Sequence, residues 1–557
     1  MAGQPETGPG PAVESHESPA SGGRPIGPIT APRVFIPSAS LLILFVAATA
    51  LFPEKMGDWI GKANNLVVTD LAWWYVAAVT GFLAFSIWIA VSHMGNVVLG
   101  KDGEEPEFSL PSWFAMLFAA GMGIGLVFWG VAEPMSHYAF PPPGLPGANA
   151  AEQGETAMNV TFLHWGLHAW AIYVVVGLAV AYSVHRRGNP VSLRWALEPL
   201  LGDRIKGFWG DVVDVIAVLG TLFGVATSLG LGVSQVSAGM GYLDWVSDPG
   251  TWLKVVLIIV ITAIAVTSVV TGVDKGIKFL SNLNMVMAVL LVAFVMIAGP
   301  TVFILSDYVT QLGSYFQDFF ALSFNVMPFQ GEEGETFLSG WTTFYWGWWI
   351  SWAPFVGVFI ARISRGRTVR EFIVGVLVVP TLVNFLWFSV MGGTALREEI
   401  FGDGNLEALA NEDYALFRDT AMYRMLEYLP LAAITAGIAM ILVVVFFVTS
   451  SDSGSFVVDM LSSGGDPNPP AWSRAFWAVL EGAVAAVLLA AGSAGGDPLG
   501  ALQTMAILLG APFSIVMVFM AIATAKVLLA EDRDRKRRER RWLAEDVARE
   551  IEASSSS

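Results

Sequence analysis

Two short runs of the chain carry side chains able to hold a cation without help from an acid. "FYWGWWISW" (344–352) places four indoles within seven residues: Trp346, Trp348, Trp349 and Trp352. "FLHWGLHAWAIY" (162–173) adds Trp165, Trp170 and Tyr173. Residues three and four apart share a helix face, which groups Tyr345, Trp348, Trp349 and Trp352 and leaves Trp346 on another side. A quaternary ammonium has no N–H to donate, so a protein holds it through the negative faces of such rings, at about 0.5–2 kcal/mol per cation–π contact. The other use for both sets is bulky packing between helices. The middles of these two segments contain no Asp or Glu, and an aromatic cage needs none.

Two further stretches offer backbone and hydroxyl oxygens. "GMGIG" (121–125) alternates Gly121, Gly123 and Gly125. Each glycine costs a helix about 1 kcal/mol relative to alanine, so this is where the segment most readily unwinds. The indole-rich segment itself carries Pro354 and Gly357, which predict a second interruption, since proline removes a helical hydrogen bond. Small residues in membrane helices also serve close packing. "FFVTSSDS" (446–453) presents Thr449 and Ser450, a pair fit either for a helix–helix hydrogen bond or for an ion that wants oxygens. Glu133 reads as structural.

The elements that must position these groups are membrane helices. The chain is 55% hydrophobic and 14% charged over 557 residues, against roughly 25% charged in soluble domains. A bilayer core about 30 Å thick takes on the order of 20 apolar residues per helix. Twelve segments qualify, near 34–52, 71–98, 111–136, 158–184, 208–240, 252–272, 279–299, 339–364, 371–393, 428–462, 472–492 and 502–530. The aromatic stretch at 303–325 is too polar to span and reads as a helix along the outer surface. With both termini cytoplasmic, only Lys55, Lys62, Lys254, Arg397, Arg418 and Arg424 fall outside, 6 of 30 basic residues, which sets this orientation by the positive-inside rule. The net charge of −17 conceals that segregation. Two interrupted spans at corresponding places, each opening a run of five, point to an inverted-repeat secondary transporter with its substrate at the midplane. Unwound backbone cannot face lipid and must line a cavity.

Other chemistries find no residues. There is no cysteine, which excludes disulfides, thiolate metal sites and cysteine nucleophiles. No nucleophile–base pair, metal cluster or phosphate loop appears, and "GMGIG" lacks the strand–turn–helix setting of a nucleotide motif. An osmosensing channel without coupled transport is the rival of another class, but neither a charge ring nor a repeated carbonyl filter is present. No nucleic-acid partner is expected.

"FAAGMGIGLVFWGVAEP", "FLHWGLHAWAIYVVVGLAVAY", "FYWGWWISWAPFVGVFIARISRGRTVREFI" and "FFVTSSDSGS" together resemble the betaine–choline–carnitine transporter family over about 34–530, with motifs nearest the sodium-coupled glycine betaine carriers. The resemblance implies an all-α fold like that of the sodium-coupled amino-acid carriers. Twelve helices form two leading helices and a five-plus-five inverted repeat (about 111–299 and 339–530), assembled as a homotrimer. It implies that Trp165, Trp170, Tyr173 and Trp349 form the aromatic box and that Trp348 and Trp352 lie along the substrate path. Gly121, Gly123 and Gly125 would face the substrate carboxylate. One sodium would be held by the Thr449 and Ser450 hydroxyls and the Ala119, Met122 and Phe446 carbonyls. Thr221 and Phe355 match part of a second sodium site, but Val225 stands where its other threonine belongs. Proton-coupled choline carriers of the family have an aspartate where this chain has Gly125, so sodium coupling and a zwitterion are expected. The implied protein is a bacterial plasma-membrane symporter that accumulates a compatible solute, glycine betaine first, with no cofactor beyond sodium as coupling ion. Ectoine or proline symport and sodium-independent carnitine or betaine exchange are the alternatives.

The tails complete the reading. Residues 1–33 are rich in Pro, Gly and Ser and are expected to be a disordered cytoplasmic tail. Residues 531–557 form a basic helix including Arg535, Arg537, Arg538, Arg540 and Arg541. It serves either positive-inside anchoring or regulation, through anionic lipid at roughly 1 kcal/mol per basic residue, an attraction that weakens as salt rises.

Overall fold

The computed structural model describes residues 30–121, 123–145, 147–247, 249–271, 274–494 and 499–555. These residues are almost wholly helical, with one isolated antiparallel bridge, Val98–Thr368, between two loops. The principal helices in chain order are α1 (Pro32–Leu51), α2 (Pro53–Val91), α3 (Leu110–Gly121), α4 (Ile124–Ala139), α5 (Ala150–Trp165) and α6 (Leu167–Ala181). They continue as α7 (Phe208–Tyr242), α8 (Thr251–Thr271), α9 (Asp274–Ala298), α10 (Thr301–Ser323) and α11 (Thr342–Ile363). The last are α12 (Val369–Phe401), α13 (Tyr414–Glu427), α14 (Ala432–Ser462), α15 (Ala471–Ala494) and α16 (Gly500–Ser555). Ten helical segments among the described residues are long and apolar enough to cross a membrane alone.

The twelve-segment reading therefore needs two adjustments. The third expected span is divided into α3 and α4 around the glycine run. The eighth, α11, is absent from the ten; its indoles and phenol make it less apolar than its neighbours. At the other ends the boundaries move outward. Residues 53–70, expected as a loop, are the first turns of α2, and the last span continues without a break into the basic tail as α16. The stretch at 303–325 is a helix, α10, outside the membrane-crossing set. Its Val302, Leu305, Val309, Phe316 and Phe320 are exposed while Ile304, Tyr315 and Leu322 are buried. Residues 1–29, most of the expected disordered tail, lie outside the described residues.

One expectation is overturned. Pro354 and Gly357 do not interrupt α11, which runs unbroken from Thr342 to Ile363 with Pro354 inside it. Gly357 instead lets α11 press against α6: a Cβ there would lie 2.6 Å from Val176 Cγ1 and 3.0 Å from the Gly177 nitrogen. The small residue serves packing, the commoner use in membrane helices. α11 is held on several sides by α6, α7 and α16, and that support keeps it helical across the missing proline N–H.

Candidate substrate and ion site

Two helices break where the aromatic residues gather. α3 ends at Gly121 and α4 starts at Ile124, with Gly123 extended at φ −152° and ψ −179°. Its N-cap, Gly123, has no side chain to cap α4; the Leu126 N–H turns back to the Gly123 carbonyl at 3.1 Å, which leaves the N–H groups of Ile124 and Gly125 at the helix start without an intrahelical acceptor. The second break was not legible in advance. Gly166 separates α5 from α6, one residue after Trp165. A Cβ at Gly166 would stand 2.5 Å from the Phe162 carbonyl oxygen and 2.8 Å from Phe385 Cζ, so only glycine fits. Groups released near this break are taken up by neighbours. Asn384 Nδ2 donates to the Trp165 carbonyl at 2.9 Å, the Leu167 N–H donates to the Tyr315 hydroxyl at 3.3 Å, and Trp349 Nε1 donates to the His164 carbonyl at 3.0 Å. This satisfies the demand that irregular backbone at membrane depth find partners within the protein.

Between these breaks lies a cavity of about 1300 Å³. Its wall includes Trp165, Trp170 and Tyr173 from α5 and α6, with Trp348, Trp349, Trp352 and Phe355 from α11. Trp165 and Trp349 meet edge to face at 4.9 Å between centroids, Tyr173 and Trp349 at 6.4 Å, and Trp170 and Tyr173 at 5.4 Å. Trp348 stacks flat on Trp349 at 4.5 Å. Trp346, the odd one out by spacing, stacks on His168 at 5.7 Å and is absent from the wall. The cavity reaches Arg362 in the last turn of α11, Pro467 and Asn468 in the loop after α14, and Arg474 in the first turn of α15. At its other end Trp129, Trp341 and Tyr345 pack together, with Trp129 5.3 Å from Trp341, and none of them lines it.

The expected ion ligands divide. Ala119, Phe446, Thr449 and Ser450 share the cavity wall with Gly123 and Gly125. Thr449 Oγ1 donates to the Val445 and Phe446 carbonyls, at 2.9 and 3.1 Å, which leaves its oxygen lone pairs free to accept. Gly121 is the last residue of α3, and Met122 lies outside the described residues. Thr221 is fully buried, away from the cavity wall, with no hydrogen-bond partner for Oγ1 among the described residues. Val225 packs against Gly454, where a Cβ would meet its methyl carbons at 3.0 and 3.2 Å. That spot offers methyls rather than oxygen.

Sequence reasoning set Glu133 aside; the structure gives it three partners. Fully buried on α4, its Oε2 accepts from Trp165 Nε1 at 2.6 Å and from the Tyr345 hydroxyl, and its Oε1 pairs with His164 Nδ1 at 2.7 Å. His137 Nε2 stands 3.5 Å from the same Oε1. Ligand atoms of Glu133, His137 and His164 all lie within 4.8 Å of one another, yet the direct His164–Glu133 hydrogen bond leaves no room between them for an ion. The available signal was the rarity of an ionisable residue inside a span.

The chain matches a family model described as "BCCT, betaine/carnitine/choline family transporter" over residues 33–533. It is 49% identical over 498 residues to an uncharacterized transporter of Mycobacterium tuberculosis, covering 89% of this chain and 82% of that one. A glycine betaine transporter of Bacillus subtilis, OpuD, is 43% identical over 506 residues, 90% and 96% of the two chains. A glycine betaine/proline/choline transporter of Vibrio parahaemolyticus is 42% identical over 516 residues, 90% of each. A family match over nearly the whole length, on a multi-pass helical fold, makes this chain a member of the betaine/carnitine/choline transporter family, a membrane transporter and not an enzyme.

Proposed function

We propose that the protein carries a zwitterionic compatible solute, glycine betaine first, into the cell in symport with sodium. The observation that carries this reading is the T-shaped pair Trp165–Trp349, flanked by Tyr173 and Trp348, on the wall of a cavity that also contains the start of α4. The rings suit a methylated ammonium. The uncapped N–H groups of α4 suit the carboxylate at the other end of the molecule, since helix N-termini favour anions. In this reading sodium sits between the Thr449 and Ser450 hydroxyls and the Ala119 and Phe446 carbonyls. A second sodium at Thr221 and Phe355 is not part of it, because Val225 brings no oxygen.

We further read 111–299 and 339–530 as the two inverted halves of the fold, the termini as cytoplasmic, the assembly as a trimer, and the structure as facing inward. Support for the last is that the cavity reaches Arg362 at the end of α11 and Arg474 at the start of α15, which belong to the side richest in Lys and Arg. The basic tail would meet anionic lipid there. The test is uptake of labelled betaine, ectoine, proline, choline and carnitine into vesicles with and without a sodium gradient. Betaine accumulation that follows the gradient is the expected result; uptake indifferent to sodium defeats the coupling.

A further inference from the structure

We propose that Glu133 is a positioning residue for the aromatic cage, holding Trp165 in place and making its ring face a better partner for a cation. The inference rests on the cage reading above and adds a residue that touches no substrate: Glu133 is fully buried and absent from the cavity wall.

The need for such a residue follows from the break at Gly166. Trp165 is the last residue of α5, so nothing helical continues past it to hold its ring. Two hydrogen bonds from other helices supply the restraint, Asn384 on its carbonyl at 2.9 Å and Glu133 on its indole N–H at 2.6 Å. The same carboxylate accepts from Tyr345, whose ring lies 5.5 Å from Trp165 and 5.8 Å from Trp349, backing both. Through its bond to Oε1 it also fixes His164, whose carbonyl accepts the Trp349 indole N–H. Two cage walls from two different helices are thus tied to one side chain on α4, the helix that begins at the glycine break.

Charge adds to geometry. A hydrogen bond to a carboxylate is roughly twice as strong as one between neutral groups, and at low local dielectric hydrogen-bonded groups polarise one another. Electron density pushed from the N–H into the indole makes the ring face more negative, which is the property a quaternary ammonium senses. Glutamine keeps the shape and the acceptor oxygen and removes the charge.

The experiment uses full-length protein in proteoliposomes and in detergent, with two probes. One is betaine; the other is 3,3-dimethylbutanoate, which has the same shape with carbon in place of the charged nitrogen. In Glu133→Gln the substrate constant for betaine should rise about tenfold with maximal uptake within about twofold, a loss in binding and not in turnover. Binding of the uncharged-headgroup analogue, read by tryptophan fluorescence, should change by less than about threefold, because cation–π attraction is what is lost. Tyr345→Phe, which removes only a hydroxyl, should raise the betaine constant about threefold and add little on top of Glu133→Gln, as expected for residues acting through one network. Should Glu133→Gln fail to fold, Tyr345→Phe alone with both probes decides. A betaine constant unchanged in both variants, or equal losses for the two probes, overturns the proposal. Wild-type protein that neither binds nor takes up betaine overturns the cage reading itself, which is a separate failure.

Discussion

Gly125 faces the edge of Trp348 so closely that a Cβ in its place would stand 2.5 Å from ring atom Cη2 and 3.3 Å from Cη2 of Trp165. Both rings belong to the cavity wall. Gly125→Ala should therefore displace a wall of the cage and raise the betaine constant by roughly tenfold, the loss of about one good cation–π contact. Gly125→Asp needs the same space and more, and should lose more. A normal constant in Gly125→Ala means that Trp348 swings aside freely and shapes nothing.

The two kinds of tryptophan on α11 separate in a second measurement. Trp349→Leu removes a ring from the wall and should raise the substrate constant by an order of magnitude or more. Trp346→Leu removes an indole that is 2% exposed and stacks on His168 away from the cavity. It should leave the constant within about twofold while lowering the unfolding midpoint, since truncating a buried Trp costs up to about 3–5 kcal/mol. If the two variants behave alike, the indoles are all packing.

Thr449→Val keeps shape and deletes an oxygen from the cavity wall. The sodium concentration for half-maximal uptake should rise about tenfold, with the betaine constant at saturating sodium within about threefold. Thr221→Val, off the wall, should leave sodium activation as it was. An effect at Thr221 of the same size as at Thr449 would move the ion to the other side of α7.

Asp307 on α10, outside the membrane-crossing helices, predicts a pH dependence. Desolvation on burial pushes its carboxyl up to about 6, against an ordinary 3.8. The folded state thus holds the proton more tightly than the unfolded state. Stability from this group is full below pH 4, falls as pH rises towards about 6, and is level above that. Thermal midpoints of purified protein from pH 4.5 to 8 should show the decline in wild type, and Asp307→Asn should flatten it. An equal slope in the variant assigns the dependence elsewhere.

The tail has an anchored root and an exposed basic stretch beyond it. Glu531 pairs with Arg186 and accepts from the Tyr182 hydroxyl at 2.8 Å, and Arg535 and Lys536 each reach Asp532 at 2.7 Å. Beyond them Arg537, Arg538, Arg540 and Arg541 are exposed. Deleting 537–557 should preserve basal uptake and flatten its rise with external osmolality, whereas deleting from 531 also cuts the root. An unchanged osmotic profile after the shorter deletion removes the tail from regulation.

Composition and local patterning determined that this chain is a helical membrane protein, where most of its long helices lie, that one helix ends and the next begins within the glycine run at 121–125, and which rings share a face of α11. Those are properties of neighbouring residues: apolar run length, glycine's weak helix propensity and the 3.6-residue turn. Tertiary structure alone decided the rest. Pro354 and Gly357 read as a second break, yet α11 is continuous through both, because α6, α7 and α16 pack around it, and no local rule reports such support. Gly166 gives no local sign of a break and is one, because distant groups take up the loosened backbone: Asn384 donates to the Trp165 carbonyl and the Tyr315 hydroxyl accepts from the Leu167 N–H. Glu133 meets Trp165 and Tyr345 only across three helices, and contacts between distant segments leave no periodic trace in the chain that makes them.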